Sequence, residues 1–360
     1  MKILHVTDSY LPTIGGIELH VHDLAARQQA TGHDVAVAAR TASADAAGDV
    51  VRRIDHHRHG WLLHEAPDVV HAHVSIVSPF ALATASRAAR VGIPTAVTVH
   101  SLWTHVGRLP ELARDVCGMR RWDVTWSAVS ERAAEPVRAV LGVPVQIVPN
   151  AVDLDRWTPF GERTDPEPPH VLSVMRLTGV KRALPLVRTL EGVAARTELT
   201  ATIVGDGPER GRVQRYLRRH GLTDRVRLTG ALERTEIRRE LAHASVFLAP
   251  AHRESFGIAA LEARASGVPV VASARSGVAT FIEHGTDGLL GDDDRGMADQ
   301  LLTLLGDPAL RTEIALHNRA VLPRFGWDQA LERTAELYVL AAAAPSPVGA
   351  RLATRRVLVG

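Results

Sequence analysis

Short runs of β-branched and apolar residues alternate with amphipathic stretches along almost the whole chain. No other feature limits the fold as strongly. In the first half the runs are KILHVT, DVAVAA, VVHAH, TAVTVH, VTWSAVS and VQIVP; in the second they are HVLSVMR, LTATIVG, VRLTG, ASVFLAP, PVVAS and DGLLG. They are brief and mostly unbroken by polar residues, as strands covered on both faces are. Helical patterns such as Glu18 to Thr31 and Pro79 to Val91 lie between them. Alternation of this kind builds βαβ units and parallel sheets.

The theme occurs twice, and 360 residues exceed one ordinary domain. Between the halves, RWTPFGERTDPEPPH at 156–170 has four prolines, several charges and no periodicity, which is a linker signal. The expected α/β architecture is two Rossmann-like, doubly wound parallel-sheet domains facing a central cleft. The N-terminal domain spans 1–160 and the C-terminal one 168–326; a last helix near 327–343 packs back on the first, and 344–360 forms a tail. Ligands of such sheets sit beyond the carboxyl ends of strands, so residues just after strands carry the most weight.

Composition excludes several functions. A net charge of +2, with no basic run interleaved with aromatics, argues against a nucleic-acid partner. The single cysteine, Cys117, excludes an intramolecular disulfide framework and a cysteine-based zinc site. The start, MKILHVTDSY, lacks the apolar core of a signal peptide, and no run approaches about 18 apolar residues. A cytoplasmic location is expected, with peripheral attachment at the inner membrane face as a variant. His71 and His73, two apart on one strand face, form a metal pair only if a third ligand joins them, and none is signalled. HHRH at 56–59 and the acidic run 292–294 read as exposed loops.

Five strand ends carry candidate chemistry. Gly15 and Gly16 lie between the first strand and its helix, where a backbone can approach a phosphate or a turn can need positive φ. His100 closes the TAVTVH strand and can bond a sugar hydroxyl or serve structurally. Arg176 and Lys181 follow HVLSVM, and two cations there suit a diphosphate or are surface bases. Gly205 ends LTATIV, but Pro208 and the placement of Gly211 break a dinucleotide fingerprint, disfavouring hydride transfer. Glu254 lies in the loop after VFLAP, and Glu262 lies two turns into the following helix. Phe256, Gly257 and Ile258 offer amides at the helix start between them. A carboxylate accepts paired sugar hydroxyls; the competing reading has Glu254 facing the helix dipole and Glu262 facing solvent.

Taken together, GGIELHVHDLA, PDVVHAH, VPNAVD, RLTGVK, IVGDGPER, RVRLTGAL and ESFGIAALE resemble the GT-B retaining glycosyltransferases of family 4, from Met1 to about Ala343. The resemblance implies a role for each matching residue. Gly15 and Gly16 would lie near the donor phosphates, and His100 beside the transferred sugar. Arg176 and Lys181 would bind the diphosphate, Glu254 the donor sugar, and Glu262 the ribose. Phe256, Gly257, Ile258 and Gly205 complete the expected donor site. The family often has glycine where this chain has Met175 and Arg182, and a Gly-Gly pair where it has Ser276-Gly277.

The implied activity is hexosyl or N-acetylhexosaminyl transfer, with retention, from a UDP- or GDP-linked sugar to a hydroxyl of a glycan, lipid or small molecule. No cofactor and no metal are expected. A nucleotide-sugar epimerase or a non-catalytic nucleotide-sugar binder of the same fold is the alternative. A phosphorylase would need a lysine placed for pyridoxal phosphate, and Lys2 and Lys181 are the only lysines. The acceptor would meet the first domain around Tyr10 to Gly16 and residues 101–112, where Arg108, Arg114, Arg120 and Arg121 would favour an anion if they are not simply solvated.

Overall fold

The structure, a computed structural model, describes residues 1–41, 51–54, 60–104, 109–158 and 165–343. The histidine-rich 56–59, Arg108 and the 344–360 tail lie outside the described residues. Two compact units emerge. One takes Met1–Ala151 and the chain from Trp327 onward; the other takes Val152–Gly326.

The first unit is built on β1 (Lys2–Thr7), β2 (Asp34–Ala39), β3 (Arg52–Arg53), β4 (Val69–Val74), β5 (Thr95–Val99), β6 (Thr125–Ala128) and β7 (Val145–Ile147). They form one sheet in the order β3-β2-β1-β4-β5-β6-β7, with every neighbouring pair parallel. The second unit has β8 (His170–Val174), β9 (Thr200–Val204), β10 (Val226–Gly230), β11 (Val246–Ala249), β12 (Val270–Ser273) and β13 (Gly288–Gly291). Its order is β10-β9-β8-β11-β12-β13, again parallel throughout. In each sheet the strand order reverses beside the first strand, between β1 and β4 and between β8 and β11. That reversal opens a crevice at the carboxyl ends.

The apolar runs become strands because helices cover both faces. All six residues of β4 are buried, its two histidines included. In the second unit, strand residues Val171, Ile203, Leu248 and Val271 join Leu186, Val187 and Leu190 of the helix Ala183–Ala194 in one core. In the first, Ile3, Val35, Val37 and Val69 pack with Leu337 and Tyr338 of the last helix, Trp327–Ala343. That helix is fastened further by Trp327 and Ala330 against Leu24 and Ala151, and by His20 stacked on Trp327 with centroids 5.2 Å apart.

The chain changes units between Ala151 and Val152, ahead of the proline-rich stretch at 156–170. The described flanks of that stretch are tied into the second unit. Val152 donates its N–H to the Phe325 carbonyl at 3.0 Å, and Asp165 takes an ion pair from Arg311 at 2.6 Å. Prolines and charges mark irregular chain, but pairing decides which body owns it.

Candidate active site

In the second unit the proposed charged ligands converge at the sheet's reversal. Arg176 and Lys181 lie on the loop leaving β8, and Glu254 on the loop leaving the adjacent β11. Lys181 Nζ sits 2.5 Å from Glu254 Oε2, an ion pair between residues 73 apart in sequence. Both are part-buried, with side chains 35% and 17% exposed, whereas Arg176 is exposed. The pair is therefore reachable from solvent, and an arriving anion can compete with Glu254 for Lys181.

Glycine shapes this pocket at two close approaches. Gly205 has φ +129, and a Cβ there would lie 1.9 Å from the Met175 carbonyl oxygen. The end of β9 thus rests directly on the residue before Arg176, which accounts for this glycine by backbone packing. Gly277 serves the other wall: its N–H donates to the Glu254 carbonyl at 2.8 Å, and a Cβ would lie 2.2 Å from the Ser255 carbonyl oxygen. A side chain at either position would displace a loop that carries a proposed ligand.

The helix after Glu254 runs Ile258–Ala265, with Gly257 at its N-cap in the left-handed region, φ +100. Its first amides have no acceptor within the helix. Phe256 contributes backbone only, because its ring is buried against Phe281 and Phe325, with centroids 5.4 and 5.5 Å away. Glu262 is part-buried on the second turn.

Two further features of this loop system were not legible in sequence. Arg182 adopts φ +64 at the N-cap of helix Ala183–Ala194, a region costly for a residue with a Cβ. An ion pair with Asp294 anchors it. His252 joins the same acid, with Nε2 3.1 Å from Asp294 Oδ1 and Nδ1 2.7 Å from Ser273 Oγ. The acidic run 292–294 is thus more than an exposed loop. Asp293 caps the helix Asp294–Gly306 by accepting the Gly296 N–H at 2.8 Å, and Asp294 holds Arg182 and His252. Asp294 is 112 residues from Arg182 and 42 from His252, so neither contact leaves a local pattern.

In the first unit, Gly15 is the N-cap of helix Gly16–Ala30 with an extended backbone, φ −167. The turn therefore does not demand positive φ. A Cβ at Gly15 would meet only the carboxylate end of Glu18, at 2.4 Å, which can swing aside. The fold gives no strong reason for glycine here. Asp8, just past β1, instead accepts the Phe80 and Ala81 amides at 3.1 and 3.0 Å, fixing the start of helix Pro79–Arg90.

His100 is buried immediately beyond β5, with Nε2 3.0 Å from His73 Nδ1. Burial pushes its pKa down to about 3, against a smaller upward pull from a hydrogen bond with Asn150, so the ring is neutral. The β1–β4 register pairs His5 with His71, bringing a third imidazole to His71 and His73 that the sequence did not signal.

Of the arginines considered for an anionic acceptor, Arg114 donates to the Val140 carbonyl at 3.0 Å and Arg120 to the Leu141 carbonyl at 2.8 Å. Both therefore secure the carboxyl end of helix Glu131–Leu141. No helix among the described residues is long and apolar enough to cross a membrane.

Comparison with known proteins covers both units. Residues 14–156 match the family model for Glycosyltransferase Family 4, and residues 168–307 match that for Glycosyl transferases group 1. The chain is 30% identical to a D-inositol 3-phosphate glycosyltransferase of Xylanimonas cellulosilytica, over 81% of this chain and 75% of that protein. It is 29% identical to a glycogen synthase of Mycobacterium tuberculosis, over 95% of each. Among solved structures, Anabaena Alr3699/HepE in complex with UDP-glucose superposes with a TM-score of 0.77 at 20% identity, over 93% of this chain and 98% of that one. Sucrose-phosphate synthase from Thermosynechococcus elongatus gives a TM-score of 0.76 at 20% identity, over 96% and 100%.

Proposed function

The chain belongs to glycosyltransferase family 4, with the GT-B fold, and on that premise we propose that it transfers a hexose or N-acetylhexosamine from a nucleoside diphosphate sugar to a hydroxyl acceptor. The observation that carries the donor reading is the solvent-reachable Lys181–Glu254 pair at the β8/β11 reversal, with exposed Arg176 on the same loop as Lys181 and the Ile258 helix starting just after Glu254.

In this reading the donor diphosphate takes Lys181 from Glu254 and also meets Arg176 and the helix amides. These groups offset the charge that builds on the leaving phosphate, the largest electrostatic contribution such a site can make. Glu254, released, accepts hydroxyls of the donor sugar, and Glu262 accepts those of the ribose. The family resemblance assigns His100 to the transferred sugar and Gly15 and Gly16 to the donor phosphates. The bond from the anomeric carbon to the phosphate oxygen breaks, the acceptor oxygen bonds to the same face, and the acceptor's proton leaves on the phosphate. The linkage is α from an α-donor. Arg176 and Lys181 supply the positive charge, so turnover needs no divalent metal.

A panel of UDP-, GDP- and dTDP-sugars, read by shifts in unfolding temperature and by nucleotide release, tests this reading. A solved neighbour that holds UDP-glucose supports placing uridine donors first. The expected result is stabilisation by one donor class and nucleotide release that requires an added hydroxyl acceptor. Conversion of the donor without an acceptor would identify an epimerase, and binding with no release in any acceptor mixture would identify a non-catalytic binder.

A further inference from the structure

Nine residues of the first unit form one unbroken chain of hydrogen bonds that runs from Val97 of β5 to His100, just beyond that strand. Ser127 Oγ donates to the Val97 carbonyl at 3.4 Å and lies 2.7 Å from Thr98 Oγ1. Thr98 Oγ1 is 2.7 Å from His71 Nε2, and His71 Nδ1 is 3.0 Å from the Tyr338 hydroxyl. The Gln28 amide nitrogen donates to that hydroxyl at 3.1 Å, and the Gln28 carbonyl oxygen faces His5 Nε2 at 2.7 Å. His5 Nδ1 is 2.9 Å from His73 Nε2, and His73 Nδ1 is 3.0 Å from His100 Nε2. All nine residues are buried.

A chain of this kind has a direction. A carbonyl can only accept, so Ser127 donates to Val97, Thr98 to Ser127, and His71 Nε2–H to Thr98. A neutral imidazole protonated on one nitrogen accepts on the other. His71 Nδ1 therefore takes the Tyr338 proton, Tyr338 takes one from the Gln28 amide, and Gln28 takes His5 Nε2–H. His5 Nδ1 then accepts from His73 Nε2–H, and His73 Nδ1 accepts from His100 Nε2–H. The order holds only while the rings are neutral, and burial lowers the pKa of all four histidines.

We propose that this chain, anchored at the Val97 carbonyl and routed through Gln28 and Tyr338, fixes His100 in its Nε2–H form and so makes its Nδ1 a hydrogen-bond acceptor. Gln28, Tyr338, His71, His73 and His5 are then positioning residues. The last helix, which supplies Tyr338, helps set the proton position of His100, just beyond β5. The consequence for chemistry rests on the reading of His100 as a sugar contact: with its proton on Nε2, Nδ1 can accept a hydrogen bond from a sugar hydroxyl, in competition with Asn150, whose contact raises the His100 pKa and so favours a proton on Nδ1. The same His5–His71–His73 group invites a metal reading. All six of its ring nitrogens already have hydrogen-bond partners, and an ion would have to displace them.

The tautomers can be read without substrate, by long-range proton–nitrogen correlation spectra of the full-length protein labelled with 15N-histidine. His5, His71, His73 and His100 are expected to be neutral with the proton on Nε2. In Tyr338→Phe, and in the milder Ser127→Ala, His100 is expected to split between two tautomers, because the Val97 anchor no longer reaches it. A role in packing alone would lower the unfolding temperature and leave the His100 tautomer unchanged. A wild-type His100 protonated on Nδ1, or a single unchanged tautomer in both folded variants, would overturn the proposal; should Tyr338→Phe not fold, Ser127→Ala decides alone. A failed donor panel with ordered tautomers would instead count against the donor reading only.

Discussion

The two units share a strand order and a crevice position but differ in their electrostatics. In the second unit, Lys181 pairs with Glu254 and Arg182 with Asp294 in part-exposed ion pairs, and His252 hydrogen-bonds to Asp294. In the first unit the polar side chains of the central strands, His5, His71, His73, Thr98 and Ser127, are buried and hydrogen-bonded to one another. Charges near water exchange partners at little cost. Groups that must hold one orientation are kept dry, where an unpaired polar atom is costly.

The largest predicted effect falls on the charged side. Glu254→Gln should lower turnover by about 10²–10³-fold, in the range found for losing one transition-state electrostatic contact. Nucleoside diphosphate binding should not weaken, since Lys181 loses its competitor; steady-state kinetics and titration calorimetry separate the two. Gly205→Ala comes next. Its Cβ would overlap the rigid Met175 carbonyl at positive φ, so we expect a loss of about 2–3 kcal/mol in denaturant unfolding.

The dry side predicts acid sensitivity. Burial lowers His5 to about 4 and His100 to about 3 in the folded protein, while the unfolded chain titrates near 6.5. Below about pH 6.5 the unfolded state binds more protons, so stability falls as pH drops toward the folded values and is flat above that window. Each such histidine contributes a slope of about 1.4 kcal/mol per pH unit. Five of the six tryptophans lie in the first unit, Trp157 being the exception, so fluorescence-detected unfolding between pH 7.5 and 5 mainly reports this unit. The smallest effect is Arg182→Gly, which relieves the positive φ and removes the Asp294 ion pair. A net change within about 1 kcal/mol is expected in thermal unfolding.

The strands were readable because coverage on both faces leaves continuous apolar runs, and twelve of the thirteen coincide with runs visible in the sequence. β3, only Arg52–Arg53, has no pattern to find and exists through its pairing with β2. Lys181 and Glu254 could be singled out from strand ends and motif order, but their pairing needed β8 and β11 to be neighbours. His5 carries no signal in the sequence, because a lone histidine in KILHVT says nothing until register sets it beside His71. Arg182 shows the reverse case. Glycine, which the family often has there, suits φ +64 with no cost, and the arginine's anchor, Asp294, is 112 residues away.

On the proposed reading, the β8/β11 reversal receives the donor's diphosphate. Calorimetric titration of UDP and GDP into the wild type and Lys181→Ala tests it most directly. The better-bound nucleotide should lose about 10–100-fold in affinity, as expected for a lost charge-assisted contact, while the unfolding temperature stays the same. Equal affinity in a folded Lys181→Ala protein would contradict it.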